Sequence, residues 1–300
     1  MSAAARLEYL PGGQSFLDPA RADAENPASA RAVIVPFGLE ATTSYGAGTA
    51  AGPAAIIAAS QQLELYDEEF GREAYLDYGV AALKEPNIAL PVSSALDQLA
   101  AILAGVLDEG KFPLVLGGEH SLTAGAIRPF AARYKDLIVL QFDAHADLRD
   151  GYAGEPFSHA AAMRRVLDAP NVSLLAVGIR SLSKPEAEYY AAHRDRITIH
   201  WAHEQARWDI AKILAPLAGR PVYITFDIDA LDASIMPATG TPVPGGLSYP
   251  LALALLRSAG KAGHVVGADL VEFSPIKGLH ACDYTAAALA YKMLTYCLSG

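Results

Sequence analysis

Leu137-Ile-Val-Leu-Gln-Phe142, followed at once by Asp143-Ala-His145-Ala-Asp147, is the stretch that says most about the fold. Its first half is apolar and has the length of a buried strand. Side chains two and four residues apart on a strand point to one side, so Asp143, His145 and Asp147 can converge. Acidic groups at the end of a buried strand are costly unless a cation meets them. The pattern therefore predicts a metal site at the end of this strand.

Two further apolar runs end in residue types that bind metals. Phe112-Pro-Leu-Val-Leu116 is followed by Gly117-Gly-Glu-His120, and Val222–Phe226 is followed by Asp227-Ile-Asp229. Ligands of parallel α/β folds bind outside the carboxyl ends of the strands, which is where all three groups lie. A single Asp at such a place is often an ordinary loop residue. Three such groups in one chain favour a metal centre.

The donor set predicts the kind of metal. It contains carboxylates and imidazoles but no thiolate, and it has too many ligands for one tetrahedral zinc. It fits two hard divalent ions that share a bridging carboxylate, and manganese suits an oxygen-rich site with some nitrogen. The candidate ligands are His120, Asp143, His145, Asp147, Asp227 and Asp229.

Strand-like and helix-like stretches alternate along the chain. The predicted strands lie near 32–35, 88–90, 114–116, 137–142, 172–177, 197–199, 222–226 and 264–268. The predicted helices cover 53–66, 95–107, 123–134, 185–192, 250–259 and 284–298. This alternation predicts a three-layer α/β/α fold around a mostly parallel eight-stranded sheet. A closed barrel has the same counts, but the irregular spacing favours the open sheet.

The chain as a whole indicates one large domain. Its 300 residues are 52% hydrophobic, and no linker, repeat or break in composition divides residues 31–300. Residues 1–30, rich in Ala, Pro and Gly, are predicted to form an arm packed on the surface or on a neighbouring subunit. The formal charge of -10 argues against nucleic-acid binding and is compatible with a cationic substrate.

The compartment is predicted to be the cytoplasm. No basic segment followed by an apolar stretch opens the chain, and no run of about twenty apolar residues could span a membrane. The only cysteines, Cys282 and Cys297, match no zinc or redox motif and suit a reducing environment.

Five segments together resemble the ureohydrolase family of arginases and agmatinases. The strongest are Gly117-Gly-Glu-His-Ser121, Asp143-Ala-His-Ala-Asp147 and Phe226-Asp-Ile-Asp-Ala-Leu-Asp232. Pro237-Ala-Thr-Gly-Thr-Pro-Val-Pro-Gly-Gly246 and Gly48-Thr-Ala-Ala-Gly-Pro53 are also similar to the family and occur in its order. The resemblance implies an open α/β/α fold, two Mn2+ ions per subunit, and a homotrimer or homohexamer.

The resemblance also implies how the ligands divide between the two ions. His120, Asp143, Asp147 and Asp227 would hold one ion. Asp143, His145, Asp227 and Asp229 would hold the other, so Asp143 and Asp227 would bridge. His159, in Pro156-Phe-Ser-His159, matches the family's proton-shuttling histidine, and Glu272 matches the acid that grips the substrate guanidinium. Ser274 stands where the family usually has Asn, a departure that touches no ligand.

The chemistry of a guanidinium group explains why two metal ions and a proton-donating histidine are expected. Resonance makes its carbon a poor electrophile, so attack needs a strong nucleophile. A hydroxide bridging two Mn2+ ions meets this need, because metals lower the pKa of bound water. An imidazole can then supply the proton that the departing amine requires.

The surroundings favour agmatine over arginine as the substrate. Arginases read the α-carboxylate and α-amino groups with Asn and Ser after the DxHxD motif and with an acid after a Gly-x-Arg turn. Here Leu148–Pro156 contains no Asn, and Ser183 stands where that acid would be. The insert instead offers Asp150 and Glu155, which could face the far ammonium of agmatine. The sequence therefore predicts an agmatinase that forms putrescine and urea.

Other readings remain open from the sequence. N1-aminopropylagmatine and 4-guanidinobutyrate are alternative substrates, and Arg149 is the nearest basic residue for the carboxylate of the second. A metal-binding relative without catalysis is disfavoured by the complete set of ligands with His159 and Glu272. A two-metal phosphoesterase is disfavoured because Glu272 would repel a phosphate.

Overall fold

The structure is a computed structural model that describes residues 7–21, 23 and 26–299. The strands are β1 (Ala32–Phe37), β2 (Tyr66–Asp67), β3 (Arg72–Glu73), β4 (Val80–Ala82), β5 (Phe112–Gly117), β6 (Leu137–Phe142), β7 (Val172–Ile179), β8 (Ile197–Trp201), β9 (Pro221–Asp227) and β10 (His264–Val271). The α-helices are α1 (Gly52–Ser60), α2 (Val92–Asp108), α3 (Thr123–Arg133), α4 (Ala162–Val166), α5 (Lys184–Ala192), α6 (Ile210–Leu214), α7 (Tyr249–Ala262) and α8 (His280–Leu298).

Eight of these strands form one open, parallel sheet. Their order is β4-β1-β5-β10-β9-β6-β7-β8, and every neighbouring pair is parallel. The strands β4 and β8 are edges, so the sheet does not close into a barrel. The predicted fold class is confirmed. Because all eight strands run the same way, their carboxyl ends share one edge of the sheet, and β5, β10, β9 and β6 place theirs side by side at its centre.

Two apolar layers cover the faces of the sheet. Alternate strand residues point to opposite faces, so Ile34 and Ile224 pack with helices α1, α6, α7 and α8, while Val33 and Val139 pack with α2, α3, α4 and α5. Burial on both faces explains why the central strands read as continuous apolar runs. The core therefore holds the central strand ends in fixed register.

The first edge strand differs from the prediction. The run 88–90 is a loop, and the short β4 at Val80–Ala82 pairs with β1 instead. Pro86 and Pro91 flank the predicted run, the Leu90 side chain is exposed, and the Ala89 N–H donates to the Gln98 side chain. Proline removes a ladder donor and restricts the residue before it, which disfavours a strand here. Three-residue strands such as β4 leave too little periodicity to be found from sequence.

The N-terminal stretch packs onto the body of the protein where the structure describes it. Phe16 and Leu17 are buried in the core layer that contains α1 and α8. The buried Arg21 guanidinium donates to the carbonyl oxygens of Phe16 and Val80. These contacts tie the stretch to β4. Part of the predicted arm, residues 1–6, 22, 24 and 25, lies outside the described residues.

Candidate metal centre and active site

The candidate ligands gather at the central carboxyl edge of the sheet. His120 follows β5 and opens a 3-10 turn, Asp227 ends β9, and Asp143 directly follows β6. The sequence also predicted His145, Asp147 and Asp229 for this site, and all three come to the same place. They form two groups that share Asp143: one contains His120 and Asp147, and the other contains His145 and Asp229.

The first group surrounds one nitrogen of His120. Nδ1 of His120 lies 3.0 Å from Oδ2 of Asp147, 3.2 Å from Oδ2 of Asp143 and 3.4 Å from Oδ2 of Asp227. Although all four side chains are buried, this Nδ1 has no hydrogen-bond partner among the described residues. Donor atoms that converge without bonding to one another are arranged as ligands around an ion.

The second group lies beside the first. Nδ1 of His145 is 2.9 Å from Oδ2 of Asp229 and 3.7 Å from Oδ1 of Asp143. The carboxylates are held by the backbone: Asp143 accepts from the His145 N–H at 2.6 Å, Asp227 from the Asp229 N–H at 2.9 Å, and Asp229 from the Ala144 N–H at 2.9 Å. These bonds fix the direction in which each carboxylate presents its remaining lone pairs.

The electrostatics of the cluster call for a cation. Burial, with repulsion from Asp147 and Asp229, raises the pKa of Asp143 to about 7. Burial and the neighbouring acids also raise the pKa of Asp227 well above its ordinary value. Carboxylates so crowded are stable as anions only when positive charge is supplied. Oxygen donors with two imidazoles and no thiolate fit two hard divalent ions.

The imidazoles respond to the same crowding. Burial, the largest single cause, disfavours a charged His145, but its hydrogen bond to Asp229 and the attraction of the neighbouring carboxylates together outweigh burial and raise its pKa to about 10. For His120 burial also opposes the charged form, and contacts with Asp143, Asp147 and Asp227 raise its pKa well above the usual range. In the absence of metal ions, the raised pKa values favour protonated imidazoles at the positions where cations would bind.

Glu272 lies beside the cluster and lines the same cavity as His145, Asp147 and Asp227. It follows β10, and its Oε1 accepts the backbone N–H of His120 at 2.6 Å. Burial is the largest cause that raises its pKa to about 8, partly offset by that hydrogen bond. The second oxygen, Oε2, has no hydrogen-bond partner among the described residues. The structure thus places a buried carboxylate where the sequence predicted a guanidinium-binding acid.

Two of these acids have left-handed backbones. Asp147 has φ of 52° and Glu272 has φ of 63°, a region that non-glycine residues rarely occupy. The surrounding contacts must hold them there, because the conformation itself is unfavourable. Such residues concentrate at functional sites, which agrees with the position of both in the cavity wall.

His159 stands at the mouth of the cavity. Its backbone N–H donates to Oγ1 of Thr42 at 2.9 Å, its Nδ1 lies 3.1 Å from the same hydroxyl, and its Nε2 lies 3.4 Å from Oγ of Ser44. The loop that carries Thr42 is in turn fixed by Glu119, which accepts from the Ala41 and Thr42 N–H groups at 2.6 Å. His159 is therefore oriented by hydroxyls rather than by an acid.

Sequence reasoning missed the loop after β1. Thr43, Ser44 and Tyr45 line the cavity, and the Tyr45 side chain is 87% exposed. One signal was available: this polar run follows a parallel strand, and all such strands end at the same edge. The run contains no metal-binding residue type, so the donor pattern did not point to it.

The structure does not bring Asp150 into the cavity. Its side chain is 67% exposed and pairs with Arg165 at 2.6 Å and Arg164 at 3.6 Å. Glu155 also stays outside the lining and accepts the Phe157 N–H. In this structure Asp150 and Glu155 lie outside the residues that line the cavity, and their role in reading the far amine stays a prediction.

Arg149 and Tyr152 are the insert residues that line the cavity. The Arg149 guanidinium lies 5.1 Å from the centre of the Tyr152 ring, and its Nε is 3.8 Å from Oε2 of the buried Glu186. The Tyr152 ring meets the His159 ring edge-on at 6.2 Å. The rim is thus aromatic and basic, with its positive charge partly balanced by Glu186.

Comparisons with known proteins agree with this geometry. The sequence model of the Arginase family matches residues 30–297. N(1)-aminopropylagmatine ureohydrolase of Synechocystis is 36% identical, with 90% of each chain covered. Agmatinase of Bacillus anthracis is 38% identical, with 81% of this chain and 83% of the relative covered. The solved proclavaminate amidino hydrolase of Streptomyces clavuligerus superposes with a TM-score of 0.84 at 26% identity, over 98% of both chains.

This chain belongs to the Arginase family, whose members are binuclear metal enzymes. The resemblance drawn from the sequence is confirmed. No helix in the described ranges 7–21 and 26–299 has the length and apolar character needed to cross a bilayer.

Proposed function

We propose that this protein hydrolyses the guanidinium group of agmatine, giving putrescine and urea. The observation that carries the proposal is one cavity in which the buried Glu272 and the mouth residue His159 face the acidic cluster. A buried carboxylate without a basic partner suits a cationic, planar group. The relatives named agmatinase support the choice of agmatine.

Two divalent cations, which we propose to be Mn2+, fit the cluster. One would be held by His120, Asp143, Asp147 and Asp227, and the other by Asp143, His145, Asp227 and Asp229. When bound, they supply positive charge and a water activated for attack at neutral pH. The orphaned Nδ1 of His120 and the raised pKa of Asp143 support this assignment.

Glu272 is proposed to bind and orient the guanidinium group. Its Oε1 is held by the His120 N–H, which leaves Oε2 free to accept from the substrate. A carboxylate paired with a guanidinium supplies both charge and direction, because the hydrogen bonds are charge-assisted and lie in one plane. Binding at this wall would place the guanidinium carbon over the cluster.

His159 is proposed to carry the proton that the departing amine needs. The Thr42 and Ser44 hydroxyls hold its ring at the cavity mouth. Thr42 donates its proton to Glu119 and therefore accepts from Nδ1, whereas the Ser44 hydroxyl can donate to Nε2 or accept from it as the ring changes protonation. The leaving amine of a bound agmatine would extend from the cluster towards this mouth. Transfer from the imidazole would let the carbon–nitrogen bond break to give a neutral amine.

A longer substrate is the second candidate. Two relatives named N(1)-aminopropylagmatine ureohydrolase, from Synechocystis and Thermus thermophilus, are each 36% identical to this chain. The exposed Tyr45 and Tyr152 at the mouth leave room for an extended amine, and aromatic faces attract cations. 4-Guanidinobutyrate is a further candidate, because its carboxylate could pair with Arg149 in the cavity lining.

The test is urea release by Mn2+-loaded protein. The panel contains agmatine, N1-aminopropylagmatine, 4-guanidinobutyrate, arginine and guanidine, compared by kcat/KM. We expect agmatine or its aminopropyl derivative to exceed the others by about tenfold or more, since one well-placed contact is worth about 1–3 kcal/mol. Urea from no compound, with two ions bound, would overturn the proposal and favour a non-catalytic role.

We also propose the organisation of the protein. Residues 31–300 form one catalytic domain, residues 1–30 form an arm, and three or six subunits assemble in the cytoplasm. Burial of Phe16 and Leu17 against the body supports an arm that is bound rather than free. Light scattering coupled to size-exclusion chromatography measures the assembly directly. A monomer at micromolar concentration would contradict it.

A further inference from the structure

The two nitrogens of the His120 ring have different surroundings. Nδ1 faces the carboxylates of the cluster. Nε2 points away from them, into the sheet, where Oγ1 of Thr225 lies at 2.9 Å. His120 and Thr225 are both buried. Which nitrogen carries the proton is therefore decided behind the ring, by the partner of Nε2.

A line of hydroxyls continues from Thr225 into the core. Oγ1 of Thr225 lies 3.4 Å from Oγ1 of Thr123, which donates to Oδ2 of Asp269 at 2.9 Å. The register of the sheet sets this line, because Thr225 of β9 and Asp269 of β10 are direct neighbours. Thr123 reaches them from the first residue of α3.

Asp269 is an unusual residue for the middle of a buried strand. Its exposure is 0%, and it makes no ion pair with any described residue. Its Oδ2 accepts from the hydroxyls of Thr123 and Tyr223, each at 2.9 Å, and the Thr225 hydroxyl also lies within hydrogen-bonding reach of the carboxylate. An isolated buried carboxylate is costly, so one that persists in the core of a sheet needs a reason.

Counting protons gives the line a direction. The Asp269 carboxylate can only accept, so the single proton of Thr123 points to it. Because the Thr123 hydroxyl has no second proton, its oxygen can only accept from the Thr225 hydroxyl. The Thr225 proton therefore points away from His120. The Thr225 oxygen therefore accepts from the ring, and the ring proton lies on Nε2. For a neutral imidazole this leaves the lone pair on Nδ1, facing the cluster.

We propose that Asp269 is a positioning residue that acts through Thr123 and Thr225 to hold His120 in the tautomer whose Nδ1 can bind a cation. The proposal rests on the proposed metal centre and adds three residues that touch neither metal nor substrate. Groups behind a ligating histidine commonly fix its tautomer and orientation, and their loss weakens metal binding.

Isosteric variants at Thr225 test the relay. Thr225→Val removes the hydroxyl and keeps the shape, while Thr225→Ser keeps the hydroxyl. We expect Thr225→Val to lower the affinity for one of the two Mn2+ ions by about 10- to 100-fold and to leave the affinity for the other unchanged. The affinities of Thr225→Ser should stay close to those of the wild type. The readout is free Mn2+, counted by electron paramagnetic resonance during titration, which requires no turnover.

The variant Thr123→Val tests whether His120 depends on the whole line of hydroxyls or only on its direct contact with Thr225. It leaves the bond between His120 and Thr225 in place but removes the hydroxyl that links Thr225 to Oδ2 of Asp269, and we expect it to weaken binding of the same ion. Thr123→Ser is its rescue variant. Tyr223→Phe removes the other hydroxyl on Asp269, outside the line, and should change Mn2+ affinity by less than about twofold. If Thr225→Val does not fold, the Thr123 pair carries the test.

The outcomes separate this proposal from the proposed function. Wild-type affinity for both ions in Thr225→Val and Thr123→Val would overturn the relay. Equal weakening in the Val and Ser variants would also overturn it, because the hydroxyl would not be the cause. Failure of the wild-type protein to bind two ions or to release urea would instead overturn the proposed function.

Discussion

The floor of the cavity, formed by the metal-ligand cluster, and its rim, formed by Tyr45, Arg149 and Tyr152, differ in burial and in the contacts that hold their side chains. On the floor, Asp143, Asp227 and Asp229 are buried, and each has an oxygen fixed by a backbone N–H. On the rim, Tyr45 is solvent-exposed and Arg149 is half-buried, held by a contact with the Tyr152 ring and a long ion pair with Glu186. The floor has little freedom to vary, whereas the rim can change without disturbing the sheet.

This difference separates reaction type from substrate choice. The floor follows from strand ends that the core holds in register, so the chemistry of the site is set by the fold. The rim belongs to loops after β1 and β6, whose paths depend on local contacts. Substitutions on the floor should therefore change catalysis by orders of magnitude, and those on the rim should change mainly the preference among substrates.

Asp143→Asn should have the largest effect. Asp143 is shared by both ligand groups, so the amide removes a charge from each. We expect kcat/KM to fall by about 10³-fold or more and bound Mn2+ to drop below two per subunit, measured by urea release and elemental analysis. Asp136→Asn is the control, because Asp136 pairs with Arg220 on the surface. Two ions with full activity would refute the shared role.

Glu272→Gln should follow in size. The variant keeps the shape of the side chain but removes the charge that faces the substrate. We expect kcat/KM to fall by about 10²- to 10³-fold, the usual loss for one partner of a buried charge pair. Bound Mn2+ should remain at two per subunit. Glu188→Gln, on an exposed side chain, is the matched control. An unchanged kcat/KM would remove Glu272 from the substrate site.

His159→Asn should reduce turnover rather than metal binding. Asn can keep the hydrogen bond to Thr42 but cannot carry a proton. We expect kcat to fall by about 10²-fold with little change in KM or Mn2+ content, as for other losses of a general acid. The exposed His203→Asn serves as the control. A loss confined to KM would show that His159 binds substrate without moving a proton.

Arg149→Ala tests the rim. Removing its charge should favour agmatine over 4-guanidinobutyrate, changing the ratio of their kcat/KM values by about fivefold, because a solvated charge contact is worth about 1 kcal/mol. The control is Arg194→Ala, which removes an arginine that stacks on Tyr190 away from the cavity. A ratio that does not move would show that Glu186 already neutralises Arg149.

Asp150→Asn should have the smallest effect. Its carboxylate pairs with Arg164 and Arg165 on the outer side of the insert. Exposed pairs contribute little, so we expect kcat/KM for agmatine to stay within about twofold of wild type. A fall of tenfold or more would return Asp150 to the substrate site and would mean that the insert changes its path when substrate binds.

The floor was predictable from sequence because its signal is local. Apolar runs ending in Asp143 or Asp227 identify strand ends, and parallel strands bring such ends together. Glu272 and His159 were identified only by resemblance to the family. The relay from Asp269 was missed, since it depends on which strands are neighbours: β9 and β10 lie side by side, and the helix that carries Thr123 is distant in sequence.

Loop paths explain why the surroundings of Asp150 could not be predicted from the sequence. Asp150 was predicted to face the substrate because it lies in the insert and is acidic. Its actual partners, Arg164 and Arg165, follow in α4, a five-residue helix that periodicity did not reveal. The pairing depends on where that helix places two arginines. No pattern within Leu148–Pro156 contains this information.

The left-handed backbones of Asp147 and Glu272 set a limit on engineering this protein for heat resistance. Each conformation costs about 1–3 kcal/mol, which Gly, or to a lesser degree Asn, would largely recover. A selection for thermal stability that ignores turnover would therefore favour such replacements and discard the acids first. Conversely, a hydrolase that retains both acids is less stable than it could be, because its activity requires these two strained residues.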